Sequence, residues 1–158
     1  PIGEQYDALR KGVVDGTVGS PNTLLGWKLA EVTKNSTLLN DVGYVSAMFV
    51  AMNPGKWKSL PADVQKVFTD VSREWVEYTG KEWNRIEIEG FQHGKKVGHT
   101  FINLSDQEQA RWRQAVQPLQ DAYVKSMAAK GLPGKEALEY RQQLIQKYEK
   151  MYPKLKYE

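Results

Sequence analysis

Apolar residues recur along this chain at two spacings, and the changes between them mark its elements. From residue 61 a helical period is sustained: Val64, Val67, Phe68, Val71, Trp75, Tyr78, Trp83 and Ile86 follow mostly at three- and four-residue steps, as one helix face requires. Pro61 and Asp63 suit the first turn of that helix. Continued to about Gly90 it measures roughly 45 Å at ~1.5 Å per residue, either unbroken or divided near Gly80.

Before it, Glu4 to Lys11 reads as a helix with Tyr6, Ala8 and Leu9 inward, ended by Gly12 in the left-handed conformation. Val13 and Val14 favour an extended path, Asp15-Gly16 a turn, and Thr17-Val18 a short strand. Pro21 to Lys34 is expected to be helical, with Ser20 as N-cap and Leu24, Leu25, Lys28, Leu29 and Val32 on one face. This places a small-residue loop at a helix N-terminus, where backbone N–H groups are expected to lie uncovered as in the ligand loops of α/β sheets.

Asn35-Ser36 reads as a turn and Leu38-Leu39 as a short strand. Val42 to Met52, nearly continuous in apolar residues, is the strongest strand candidate, buried on both faces. Asn53-Pro54-Gly55 stops it, and residues 56–60 form a helical turn. His99 to Leu104 is the next strand, and Ser105 to Glu108 has the capping-box spacing. The helix it opens carries Trp112, Val116, Leu119, Tyr123 and Met127, is expected to kink at Pro118 and ends at Gly131. A last helix spans Gly134 to Met151, with Leu138, Leu144, Ile145, Tyr148 and Met151 inward.

Composition narrows the functions available. With 158 residues, 41% hydrophobic and 11% aromatic, the chain has material for a core. Its net charge of +3 is spread through the helices, which argues against a nucleic-acid partner. Absence of cysteine excludes disulfide and thiol chemistry and fits either cytoplasm or periplasm. No apolar run approaches the roughly 18–20 residues of a membrane span. A chain that opens at Pro1 is expected to have lost an upstream segment by processing or to be a piece of a longer polypeptide, and the immediate helical run favours the piece.

Catalytic constellations are thin. The two histidines, His93 and His99, fall in no spacing that recruits zinc or a serine nucleophile. Gly12, Gly16 and Gly19 lack the Gly-Lys-Ser/Thr ending of a phosphate loop, and carboxylate pairs such as Glu87 and Glu89 fit a solvated helix face. The expectation is a protein that is not an enzyme, with no catalytic residue, metal or cofactor.

Residues Glu4 to Gly16 read Glu-x-Tyr-x-Ala-Leu-x-x-Gly-x-Val-Asp-Gly. This resembles the corresponding segment of the DctP-type solute-binding proteins of TRAP (tripartite ATP-independent periplasmic) transporters. Similarity continues through Lys28 to Lys34, Met52-Asn53, Trp57 to Pro61, and Gly98 to Ser105, and so over essentially the whole chain. It corresponds to about the C-terminal half of a full family member.

The resemblance implies an α/β, periplasmic binding protein-like (type II) lobe with a long lobe-spanning helix and C-terminal helices. Residues 1–60 would form part of the second α/β lobe and 61–98 the connecting helix. Residues 99–158 would supply a strand and C-terminal helices that pack back on the lobes. It further implies a periplasmic protein that binds a small organic acid and delivers it to a membrane permease. Contact with the membrane would be through the permease alone.

Family members commonly hold the ligand carboxylate with an arginine placed before the present Pro1; Arg10, Arg73 and Arg85 lie outside that motif. Where many members follow Asp-Gly with Glu-Asn-Pro, this chain has Gly19-Ser20-Pro21, so Ser20 is the leading ligand-side residue, beside its alternative role as a helix cap. Gly19 accompanies it. Ile2 falls where some members set an aromatic ring against the substrate, as cleft wall or alternatively core, and Asn40, Asp41 and Tyr44 fall in the region that lines the cleft, with loop-turn chemistry as their alternative role. The alternative function is a non-catalytic helical protein–protein interaction module using Trp75, Trp83 and Trp112. Apolar patches on a truncated clamp would also invite self-association.

Overall fold

The structure, a computed structural model, describes residues 1–39, 42 and 48–152. Its contacts divide the chain into two units: Pro1–Lys34 with Tyr44–Thr100, and Asn35–Gly43 with Phe101–Glu158.

In the first unit a 3-10 turn, Ile2–Glu4, leads into α1, Gln5–Arg10. Gly12 takes φ +67, its N–H bonds Leu9 O at 3.1 Å, and Val13 N–H bonds Ala8 O at 2.9 Å. That pair of bonds is a Schellman ending and satisfies carbonyls the last turn would otherwise leave open. Residues 13–20 then run without regular structure, and Val13 and Val18 are exposed. The short strand expected at Thr17-Val18 is absent: no strand among the described residues lies beside it to receive its hydrogen bonds.

The expected helix from Pro21 to Lys34 is instead α2, Asn22–Gly26, followed by a 3-10 turn at Leu29–Glu31. Between them Lys28 adopts φ 58. The break has a packing reason. Leu24 and Leu29 are both buried, at 4% and 2% exposure, yet on one straight helix residues five apart point about 140° away from each other. Turning the chain at Lys28 brings both inward, and leaves Leu25 and Trp27 outside.

The only described part of the expected strand Val42 to Met52 beyond Val42 itself, Met48 to Met52, has no regular structure, and Phe49 and Val50 are exposed. The remainder of that stretch, residues 43–47, lies outside the described residues. Next, α3, Pro54–Ser59, is capped by Asn53, whose Oδ1 accepts from Gly55 N–H at 2.8 Å and Lys56 N–H at 3.2 Å.

The long helix α4 is continuous over Ala62–Lys96, 35 residues or about 52 Å, and passes through Gly80 unbroken. Its C-terminal part docks on α2, with Gly90, Phe91 and Gly94 buried. Leu24, Leu29 and Phe91 are the buried apolar side chains among the described residues. Toward its N-terminus Trp57 meets Phe68 edge-on, with ring centres 6.3 Å apart, but Val67, Val71, Trp75 and Tyr78 stay exposed.

The second unit holds the two-stranded sheet of β1, Asn35–Leu38, beside β2, Thr100–Asn103. Asn35-Ser36, expected as a turn, thus begins a strand. Then α5, Asp106–Ala128, runs through Pro118, and α6, Gly134–Met151, ends where the sequence places it. The helices meet closely at their junction, where a Cβ built on the buried Gly134 falls 2.5 Å from Met127 Cβ. Farther out the contact thins: Leu119, Tyr148 and Met151, expected inward, are exposed.

Half of the expected capping box forms. Ser105 Oγ accepts from Glu108 N–H at 3.2 Å, while the Glu108 carboxylate turns away to Arg111, at 2.9 and 2.6 Å, and to the Trp112 indole N–H at 2.8 Å. The Arg111 bonds first, and the Trp112 bond after them, hold the Glu108 carboxyl below its ordinary value near 4.5. Because this pKa is depressed in the folded state, the contact stabilises α5 above the ordinary value and is lost as pH falls through the lower, folded one. The Trp112 indole N–H resonance is therefore expected to titrate with a midpoint below 4.5; a midpoint at or above that value would contradict the pairing.

Candidate functional site

The loop between α1 and α2 carries the leading sequence candidates, and its anchors are local. The Gln5 amide donates to Thr17 Oγ1. Ser20 is half-buried, and its carbonyl accepts from Thr23 N–H at 3.0 Å and from the Thr23 hydroxyl at 2.7 Å. Gly19 is exposed and lies over the same threonine, a Cβ built there being 3.3 Å from Thr23 Oγ1. The N-cap of α2 is Pro21 and no side chain caps it. The Ser20 side chain therefore does not serve as the expected helix cap.

The backbone donors in the first turn of α2 are taken up. Asn22 N–H donates to Glu87 Oε2 at 3.2 Å, and Asn22 Nδ2 donates to Glu87 Oε1 at the same distance. Thr23 and Leu24 N–H groups go to the Ser20 and Pro21 carbonyls, each at 3.0 Å. A carboxylate from α4 thus stands where the first turn of α2 offers its positive end. Glu87 is a structural acceptor, half-buried, rather than a member of a solvated face. Three residues on, α4 comes closer still: a Cβ on Gly90 would fall 2.2 Å from Pro21 O and 2.5 Å from Asn22 Cα.

The other sequence candidates do not gather here in the described residues. Ile2 sits in the opening 3-10 turn and is 68% exposed. Asn40, Asp41 and Tyr44 lie outside the described residues. Of the arginines, Arg10 pairs with Asp7 at 3.1 Å, and Arg85 is held by Glu82 and Glu89 on the α4 surface. Hydrogen bonds from Glu82 and then Glu89 raise the Arg85 pKa.

Two hollows went unsignalled by the sequence. One, of about 290 Å³, is lined by Tyr6, Gly26, Trp27, Lys28 and Glu31. The Tyr6 hydroxyl donates to Glu31 Oε2 at 2.7 Å, and this bond, ahead of desolvation and the Glu31 charge, raises the Tyr6 pKa. These residues stand 25 positions apart, and only the Lys28 turn brings them together. The other, of about 260 Å³, is lined by Glu74, Trp75 and Tyr78 on the open part of α4. Among the described residues, no group of three or more His, Cys, Asp or Glu side chains is placed to hold a metal ion, and no helix is long and apolar enough to cross a membrane.

Comparison with known proteins places this geometry in a family. Residues 1–126 match the model of DctP, bacterial extracellular solute-binding protein, family 7. A C4-dicarboxylate-binding periplasmic protein, DctP, of Rhodobacter capsulatus is 31% identical over 135 residues, covering 85% of this chain and 40% of that protein. Among solved structures, a TRAP solute-binding protein from a marine metagenome, specific for aromatic acid ligands and in complex with metahydroxyphenylacetate, superposes with a TM-score of 0.77. It is 27% identical and the match covers 94% of this chain and 48% of that one. A TRAP periplasmic solute-binding protein from Desulfovibrio salexigens with bound orotic acid gives a TM-score of 0.70 at 27% identity, over 90% of this chain and 45% of that one. The chain therefore spans a little under half the length of the relatives it matches. Its fold is the α/β type of the TRAP periplasmic binding proteins, represented among the described residues mostly by helices. On the family match over residues 1–126, the chain belongs to the DctP family, family 7 of the bacterial extracellular solute-binding proteins.

Proposed function

We propose that this chain is part of the extracytoplasmic solute-binding component of a TRAP transporter, working in the periplasm. It binds a small organic acid and passes it to the membrane permease, with no bond made or broken. The family match over residues 1–126 carries this reading, supported by two structural relatives that hold organic acids. In the assembled protein, residues 1–60 supply part of the second lobe, 61–98 the connecting helix and 99–158 the closing strand and C-terminal helices. Ser20, with Gly19, faces the ligand; Ile2, Asn40, Asp41 and Tyr44 contribute to the cleft. Ser20 suits the role because its carbonyl is fixed by Thr23, while its hydroxyl does not cap α2.

The test is a hybrid in which this chain replaces the matching segment of the orotate-bound Desulfovibrio salexigens relative. Screened by tryptophan fluorescence and melting temperature against C4-dicarboxylates, orotate and hydroxyphenylacetate, the hybrid should be stabilised by at least one acid. At a hundredfold excess over Kd that stabilisation is about 2.7 kcal/mol. Ser20→Ala should weaken the response. For Pro1 to Glu158 alone, weak or absent binding is expected, and a micromolar Kd would overturn that expectation. A panel that shifts nothing leaves the interaction-module reading ahead. That reading, and self-association of the isolated chain, draw support from the exposed α4 residues Val67, Val71, Trp75 and Tyr78.

A further inference from the structure

We propose that Glu87 is the positioning residue of the Gly19–Ser20 loop, tying the ligand side of the clamp to the long helix α4; the proposal rests on the solute-binding reading above. The contact is specific. Both carboxylate oxygens of Glu87 are used by one residue, Asn22, through its main-chain N–H and its side-chain amide, each at 3.2 Å. From Asn22 the chain runs back through Pro21, whose carbonyl lies against the bare Cα of Gly90, to Ser20, whose carbonyl is held by Thr23. Every step from α4 to Ser20 is thus a hydrogen bond or a backbone contact. A shift of α4 along or about its axis would displace Asn22, and Ser20 with it.

The same bonds bear on charge. The carboxylate at the start of α2 already takes the Asn22 N–H that an anionic solute would seek, and its like charge opposes a second carboxylate there. An acid at this loop is thus kept off the start of α2, with its charge balanced by groups elsewhere in the clamp.

A truncation and its isostere test this in the 158-residue chain. Glu87→Ala removes both acceptors of the Asn22 donors. Hydrogen exchange at the Asn22 amide should then rise about tenfold, the Gly19 and Ser20 amide resonances should move, and those of α6 should stay in place. Glu87→Gln keeps two bonds once the Asn22 amide turns over, its carbonyl accepting from the main-chain N–H and its amide donating to Asn22 Oδ1. It should leave the Gly19 and Ser20 signals close to their parent positions, even if Glu87→Ala is too unstable to study.

Unmoved Gly19 and Ser20 signals in Glu87→Ala, or displaced ones in Glu87→Gln, would overturn the proposal. In the hybrid, acid affinity should fall with Glu87→Ala and be kept in Glu87→Gln. If the hybrid answers no acid while Glu87→Ala still moves the loop signals, the solute-binding reading fails and the hold of Glu87 on the loop stands.

Discussion

Replacing Gly90 with alanine is expected to destabilise the first unit by about 3 kcal/mol. Helix propensity alone argues the other way, since alanine is favoured over glycine inside a helix by about 1 kcal/mol. At position 90 the added methyl would lie 2.2 Å from Pro21 O and 2.5 Å from Asn22 Cα. Both are main-chain atoms, with no rotamer to move them aside. Helix α4 must back away from α2, which uncovers the buried Phe91 and stretches the Glu87 bonds to Asn22. Gly80 on the same helix supplies the control: a Cβ there meets nothing within 4 Å, so Gly80→Ala should stabilise by about 1 kcal/mol. Urea unfolding of the two variants should give opposite signs; a Gly90→Ala protein as stable as the parent would disprove the close crossing.

The second large effect is expected in the other unit. Gly134 opens α6, and a Cβ on it would fall 2.5 Å from Met127 Cβ and 2.9 Å from Met127 Cγ. The far end of a methionine adapts readily, but its Cβ moves only with its backbone. Gly134→Ala should therefore cost about 2 kcal/mol, after the gain in helix propensity. The loss should be local to the unit: hydrogen exchange should speed in α5 and α6, while the amides of α2 and the C-terminal part of α4 keep their protection. Faster exchange spread evenly over both units would show that the α5–α6 junction is not what the glycine serves.

What the sequence makes legible follows from how local the cause is. The Gly12 ending, the Ser105 cap, the long helix expected from residue 61 and the last helix each rest on residues within a turn or two, and each is found. The departures have remote causes. The break at Lys28 lets Leu24 and Leu29 both be buried, which no period within residues 21–34 announces. Glu87 reads as one more charge on a helix until Asn22, 65 positions away, is brought against it. Glu108 has two competing uses, and its own helix offers Arg111 and Trp112 more closely than the reciprocal arm of the box. Of the candidate site, the sequence proposes the Gly19–Ser20 loop by likeness to a family, and does not announce the carboxylate that closes the helix end beside it.

The unbroken run of α4 makes its inserted and deleted residues unequal. Each residue advances the helix by about 100°, so removing one between Gly80 and Glu87 would swing Glu87, Gly90 and Phe91 off α2 while leaving the earlier half in phase with α3. Inserting seven there would alter the phase by only about 20° and lengthen the helix by two turns. Viable length variants of this segment should accordingly come in near-whole turns, with α2 acting as the reading head that rejects the others.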